Sequence, residues 1–179
     1  MSKVVLDFCA GSGAWSQPYV EAGYQVHRFD LPHDVRLLQR LDVPVHGILA
    51  SPPCTVFANS GAWIKRTDQE MIDALSIVDA CLRAVVIYRP QWWALENPIG
   101  KLRRYLGDPK LLFHPCDYGD PYTKKTLLWG EFTPPRKRPV TPVLGSKMTT
   151  RLGGSDPKQK RMRSMTPPGF ARAFFEANP

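Results

Sequence analysis

The chain has 179 residues, 43% of them hydrophobic, which suits one α/β domain with a core of its own. It has no apolar run of the roughly 18 residues that a membrane-spanning helix needs. Met1-Ser2-Lys3-Val4 leads straight into a strand, which speaks against a signal peptide. Cysteines stand far apart, at 9, 54, 81 and 116, with no Cys-x-x-Cys pair. That spacing argues against a zinc site and against a dense disulfide frame, so the expectation is no metal and a reducing cytoplasm. The net charge of +8 is unevenly placed: residues 1–133 hold 14 Lys+Arg and 14 Asp+Glu, and residues 134–179 hold 10 and 2. A basic stretch of this kind is either a solvated tail or a phosphate-contacting segment.

In chain order, Lys3 to Phe8 reads as a short apolar strand. Ala14 to Ala22 reads as a helix stopped at Gly23. Tyr24 to Phe29 alternates like a strand and ends at Asp30. Asp34 to Leu41 reads as a short helix. Val45 to Leu49 is a buried strand that runs into Ala50-Ser51-Pro52-Pro53-Cys54-Thr55. Thr67-Asp68-Gln69-Glu70 is a capping box. The helix after it carries Ile72, Leu75, Val78, Leu82 and Val85 on one face. Trp92 to Leu95 is a strand, Gly100 to Leu106 a short helix, and Cys116–Tyr118 and Thr126–Trp129 late strands. Thr133 to Met165 holds five prolines and a Gly-Gly pair, and reads mostly as loop. Thr166-Pro167 caps a last helix, Pro168 to Ala177. Strands alternating with helices imply an α/β fold: a single domain with a mainly parallel sheet and helices on both faces.

Chemistry concentrates at three places. Gly11 and Gly13 follow the first strand, where glycines let backbone approach a ligand at a helix N-terminus; a plain tight turn is the other reading. Asp30 follows the second strand, where an acid can accept ribose hydroxyls of a nucleotide-like ligand. Asp34 is an N-cap candidate. Cys54 sits on a rigid Pro-Pro turn at a strand's carboxyl end, the edge of a sheet where ligands bind. Cys9, Cys81 and Cys116 read as small buried hydrophobes. Glu96 ends a strand with two tryptophans; it is either a surface acid or a desolvated carboxyl with a raised pKa.

Gly11-Ser12-Gly13, Pro53-Cys54 and Glu96-Asn97, in that order, resemble the DNA cytosine-5 methyltransferase family. The resemblance spans most of residues 3–130. It implies a Rossmann-like S-adenosylmethionine-dependent methyltransferase fold. It also implies a cofactor site built from Asp7, Phe8, Gly11, Gly13, Asp30, Leu31, Asp34, Val35 and Pro52. The Asp34-Val35-Arg36 step matches one in the family whose Asp faces the adenine. Methyltransferases that act on exocyclic amines carry an aromatic residue where this chain has Cys54. A cysteine there points to carbon methylation, because C5 of cytosine becomes nucleophilic only after a thiolate adds at C6. The resemblance gives Cys54 the nucleophile's role, and Glu96 the contact to N3. Asn97 and Lys125 position the loop and the thiol.

The chain departs from the family in places. Glu96-Asn97-Pro98 stands for Glu-Asn-Val. Counting back from Gly130, Thr123 and Lys125 fall where the family has two arginines, so bidentate guanidinium chemistry is lost. Thr166-Pro167-Pro168-Gly169-Phe170 loosely resembles the family's last motif. Only 35 residues, 131–165, stand where the family usually has a large target-recognition domain, too few for a separate core. The cations expected on DNA are Lys124, Arg136, Lys137, Arg138, Arg151, Lys160, Arg161 and Arg163. The expectation is a minimal, monomeric DNA cytosine-5 methyltransferase that flips its target base. Such compactness suits a viral or mobile-element protein in a host cytoplasm. The rivals are a cytosine-5 methyltransferase on RNA or free nucleotide, and an inactive DNA-binding module of the same fold.

Overall fold

A computed structural model describes residues 2–61, 63–146 and 162–179. Its centre is a six-stranded sheet built from β1 (Val4–Phe8), β2 (Gln25–Phe29), β3 (Val45–Ala50), β4 (Trp92–Pro98), β5 (Leu111–Phe113) and β6 (Thr126–Glu131), in the order β2-β1-β3-β4-β6-β5. β2, β1, β3 and β4 run parallel, and β6 lies antiparallel between β4 and β5. The expectation of a mainly parallel sheet thus holds over the half that carries the glycine loop and Cys54.

Alternation along the strands divides the core into two layers. Val4, Leu6, Phe8, Ile48, Leu95 and Leu127 face α2 (Asp68–Tyr88). Val5, Leu49, Ala94 and Leu128 face α1 (Gln17–Glu21) and α4 (Pro168–Ala177), through Trp15, Tyr19, Phe170 and Phe174. α3 is one turn at Arg103–Leu106. Both faces of the sheet are therefore covered, as continuous apolar runs such as Val45–Ala50 require.

α2 starts as its sequence dictates. Thr67 accepts from the Glu70 amide, and the Glu70 carboxylate accepts from the Thr67 amide. Its buried face is Val78, Cys81 and Ala84, with Leu75, Leu82 and Val85 partly buried. Ile72 is 58% exposed and leaves the expected stripe.

Several elements differ from expectation. The first helix is only Gln17–Glu21, because the chain from Gly13 is still turning and Pro18 fits the first helical turn. Asp34–Leu41 yields one 3-10 turn, Val35–Leu37, in which Val35 is buried and Leu37 is 79% exposed. Cys116 to Tyr118 lie in a 3-10 turn, Pro115–Tyr118, where the Asp117 carboxylate accepts from the His114 amide. The strand of that region is Leu111–Phe113, too short to announce itself by alternation. β4 runs on to Pro98, so Glu96 and Asn97 lie within a paired strand rather than beyond one. The short helix expected at Gly100 begins at Arg103. The last helix has the expected bounds, but Pro167 is its N-cap and no side chain caps it.

Candidate active site at the carboxyl edge of the sheet

Register places the site. Phe29, Phe8, Ala50, Leu95 and Trp129 form one row across the sheet. Just above that row come Asp30, Cys9, Ser51 and Glu96, each the next residue of its chain. One further step brings Leu31, Ala10, Pro52 and Asn97. The glycine loop, the acid after β2, the Pro-Pro-Cys step and Glu96-Asn97 are thus neighbours along one edge. This is the carboxyl edge, where open α/β sheets bind ligands.

The loop after β1 is turned by left-handed backbone at Cys9, Gly11 and Gly13, with φ of 55°, 54° and 70°. The two glycines serve different purposes. A Cβ on Gly11 would meet nothing within 4 Å, so this backbone faces open space. A Cβ on Gly13 would stand 2.6 Å from the guanidinium of Arg28. Arg28 donates to the Gly13 carbonyl at 3.1 Å, to Ser16 Oγ at 2.9 Å and to Gln17 Oε1 at 3.0 Å. The closeness that Gly13 allows on its Cβ side is taken by this chain's own Arg28. Arg28 and Ser16 give no motif in the sequence. Only the pairing of β1 with β2, which sets Arg28 opposite Asp7, brings them to the loop.

Asp7 is buried beneath the loop, and its Oδ2 has no hydrogen-bond partner. Burial raises its pKa to about 7, and the nearby Asp30 adds to the rise, against a Ser16 hydrogen bond and the Arg28 charge, which lower it. Phe8 is fully buried in the core, its ring tilted 38° to that of Phe29. Asp30 is exposed at the end of β2. Leu31 is 88% exposed beside it, while Val35 is buried. Asp34 caps the 3-10 turn and pairs with Arg36 at 2.6 Å, and that guanidinium holds its carboxyl below the usual range. S-adenosylmethionine fits this edge on three observations: an open Gly11 backbone, an exposed acid for ribose hydroxyls and an exposed apolar side chain for a base.

The Cys54 loop is tied to β4. Asn97 is fully buried, and its Nδ2 donates to the Pro52 carbonyl at 3.0 Å. Pro52 is buried and Cys54 half-buried. The Cys54 carbonyl accepts from the Phe57 and Ala58 amides, turning the chain back at once. Glu96 lies on the opposite face of β4 from Asn97. Burial raises its pKa, and the charge of Lys124 opposes the rise. Lys124 also donates to the Arg163 carbonyl at 3.0 Å. Lys125, the residue that motif counting selects, is exposed, and the cation whose charge reaches Glu96 is its neighbour Lys124. Thr123 bridges to Ser146.

The basic segment climbs the flank of the sheet. Thr133 is held by Asn178, and the Val140 amide donates to Cys116. Lys137 pairs with Asp117 at 3.5 Å and Arg138 with Glu176 at 3.0 Å, while Arg136 is exposed. Arg151, Lys160 and Arg161 lie outside the described residues. Two surface hollows, of about 250 and 320 Å³, are lined by Pro44 and Tyr88 and by Trp92, Thr133 and Asn178, at the opposite edge of the sheet from the glycine loop, Cys54 and Glu96. Among the described residues, no three His, Cys, Asp or Glu side chains group as metal ligands, and no helix is long and apolar enough to cross a membrane.

No protein-family model matches the chain, and no curated protein matches it. Among solved structures it is similar to a protein of E. coli described as a DNA modification methyltransferase encoded within a prophage. The TM-score is 0.57 at 19% identity, over 87% of this chain and 56% of that one. The chain therefore spans little more than half the length of that protein. At this identity the likeness is one of fold, and with the sheet order and the glycine loop it identifies the chain as having a Rossmann-like methyltransferase fold.

Proposed function

We propose that the chain is a DNA cytosine-5 methyltransferase that uses Cys54 as nucleophile. The observation that carries this reading is the hydrogen bond from Asn97 to Pro52, which fixes the Pro-Pro-Cys turn beside the strand that presents Glu96. The description of the structural neighbour supports DNA as the substrate. When bound, S-adenosylmethionine supplies an electrophilic methyl group to an activated C5 carbon. Asp30 would hold its ribose, Leu31 its base, and the Gly11 backbone the rest.

This chain's residues do the activating. The target cytosine leaves the duplex, because attack on C6 comes from the face of the ring. The Cys54 thiolate adds to C6, and the displaced electron pair is taken up at N3. Glu96, whose burial favours the protonated carboxyl, donates a proton there. C5 is then an enamine carbon and nucleophilic. After methylation a water takes the C5 proton, N3 returns its proton, and the thiolate leaves C6.

The test uses the whole chain with labelled S-adenosylmethionine and DNA, RNA or dCMP. Label is expected on DNA alone, at cytosine C5, with the sites mapped by bisulfite sequencing. DNA carrying 5-fluorocytosine should trap a covalent adduct at Cys54, since fluorine is not removed as a proton is. Cys54→Ser should abolish transfer while leaving cofactor affinity near normal. Methylation without an adduct at Cys54 would sink the assignment. Label on RNA or dCMP instead of DNA would overturn the substrate, and no label on any of them would leave a binding module.

A further inference from the structure

Ala10-Gly11-Ser12-Gly13 is a four-residue turn, closed by the Gly13 amide, which donates to the Ala10 carbonyl at 2.8 Å. Gly11 and Ser12 stand at its corner, and the Gly11 backbone faces open space. Two glycines make such a turn costly to order, because glycine has the most backbone freedom to lose. Both ends of the turn are held, and adjacent residues of β2 hold them. At one end the Ala10 amide donates to the Phe29 carbonyl at 3.1 Å. At the other end Arg28 Nη2 donates to the Gly13 carbonyl at 3.1 Å, and Arg28 Nε donates to Ser16 Oγ at 2.9 Å. Ser16 Oγ in turn donates to that same Gly13 carbonyl at 3.3 Å. A guanidinium is a planar fork with fixed spacing between its nitrogens, so Arg28 spans Ser16 and Gly13 as a rigid brace. The next residue but one is Asp30, exposed at the carboxyl edge. Residues 28 and 29 thus hold the two ends of the turn, and residue 30 carries the acid that stands beside it.

We propose that Arg28, braced by Ser16, is a positioning residue for the cofactor: it sets the spacing between the Gly11 backbone and Asp30, so that one elongated ligand engages both at once. A ligand with a nucleoside at one end and an amino acid at the other gains both contacts only where their spacing matches its length. Spacing held in advance needs no ordering when the ligand arrives. Without Arg28 the turn keeps its tie at Phe29 and loses the one at Gly13. Its corner is then ordered at the moment of binding, which weakens a ligand that uses both ends and spares one that uses Asp30 alone. The inference rests on the reading of this edge as an S-adenosylmethionine site, and it adds a side chain that belongs to neither the glycine motif nor the acid after β2.

Calorimetry on the whole chain compares two ligands: S-adenosylhomocysteine, which has both ends and transfers nothing, and adenosine, which lacks the amino-acid end. Arg28→Ala should weaken S-adenosylhomocysteine by about tenfold or more, the size expected for lost hydrogen bonds from a charged group. Adenosine affinity should stay within about twofold, because its contacts lie on the Asp30 side alone. Arg28→Lys should fall between wild type and Arg28→Ala, since one ammonium does not bridge Ser16 and Gly13 as a fork does. Ser16→Ala removes a single hydroxyl and should give a smaller loss of the same pattern, confined to S-adenosylhomocysteine. Equal losses on both ligands, the mark of a merely structural role, would overturn the proposal. So would unchanged affinity for both, or a greater loss for adenosine. A wild type that binds neither ligand is a different failure, that of the cofactor-site reading itself.

Discussion

Asp7 carries the largest carboxylate shift with a definite value, from 3.8 to about 7. In the unfolded chain its carboxyl loses a proton near 3.8; in the folded chain it keeps that proton to about 7. Between these values the native state binds the extra proton, so stability falls as pH rises through the window and is level above it. The fall is on the order of 4 kcal/mol. Asp7→Asn should remove that decline from denaturant midpoints between pH 4 and 7, and parallel profiles for the two proteins would refute it. Glu96 shifts in the same direction, for the same cause. In its proposed role as proton donor to N3 it must be protonated, so transfer should decline as pH rises past its raised pKa. Glu96→Gln should cost about 10²- to 10⁴-fold in rate, the usual weight of a general acid, and erase that alkaline limb.

At the scale of elements, the Cys54 loop depends on a close approach that only glycine allows. A Cβ on Gly100 would stand 1.9 Å from the Phe57 carbonyl oxygen, which is backbone and cannot step aside cheaply. Gly100→Ala should push the loop off the turn after β4, at a cost of about 1–3 kcal/mol in stability. In the proposed reaction Cys54 acts from that loop, so transfer should fall much further than cofactor affinity, as calorimetry and labelled transfer together would show. Equal losses would mean that the loop does not depend on this contact. Some of these elements are legible locally. The capping box of α2 lies within four residues, and its reciprocal hydrogen bonds form as written. The Pro-Pro-Cys turn and the Glu96-Asn97 step are legible for the same reason. The face of α2 is not, since Ile72 fits a 3-3-4-3 spacing and still points to water. Periodicity alone does not say where the sheet lies.

At the scale of the molecule, the proposed hold on DNA is a matter of charge. The segment after β6 contributes cations without a core of its own. Two of them, Lys137 and Arg138, already pair with Asp117 and Glu176. Base readout needs several side chains held rigidly in a groove, whereas such cations contact phosphates. The target should therefore be short or relaxed, about two to three base pairs. Arg136→Ala with Lys137→Ala and Arg138→Ala should weaken DNA binding on all sequences alike and flatten the salt dependence by up to about three phosphate contacts' worth. Arg136 should account for most of it, because it does not have to leave an ion pair first. A methylome with one strict site of six or more base pairs would contradict this.

Whatever depends on neighbours along the chain is legible in the order of its residues. Alternation and caps set the order of strands and helices. Glycines marked the turn after β1, and a thiol, an acid and an amide were placed at the ends of the strands that carry them. Tertiary structure decided which of these groups serve one another. Arg28 fills the space beside Gly13, Asn97 holds Pro52 across 45 residues, and the charge of Lys124 reaches Glu96. Each of these follows from strand register and from the face to which a side chain points. Register is fixed by packing against the two layers of the core, and that packing is a property of the whole sheet rather than of any stretch of sequence.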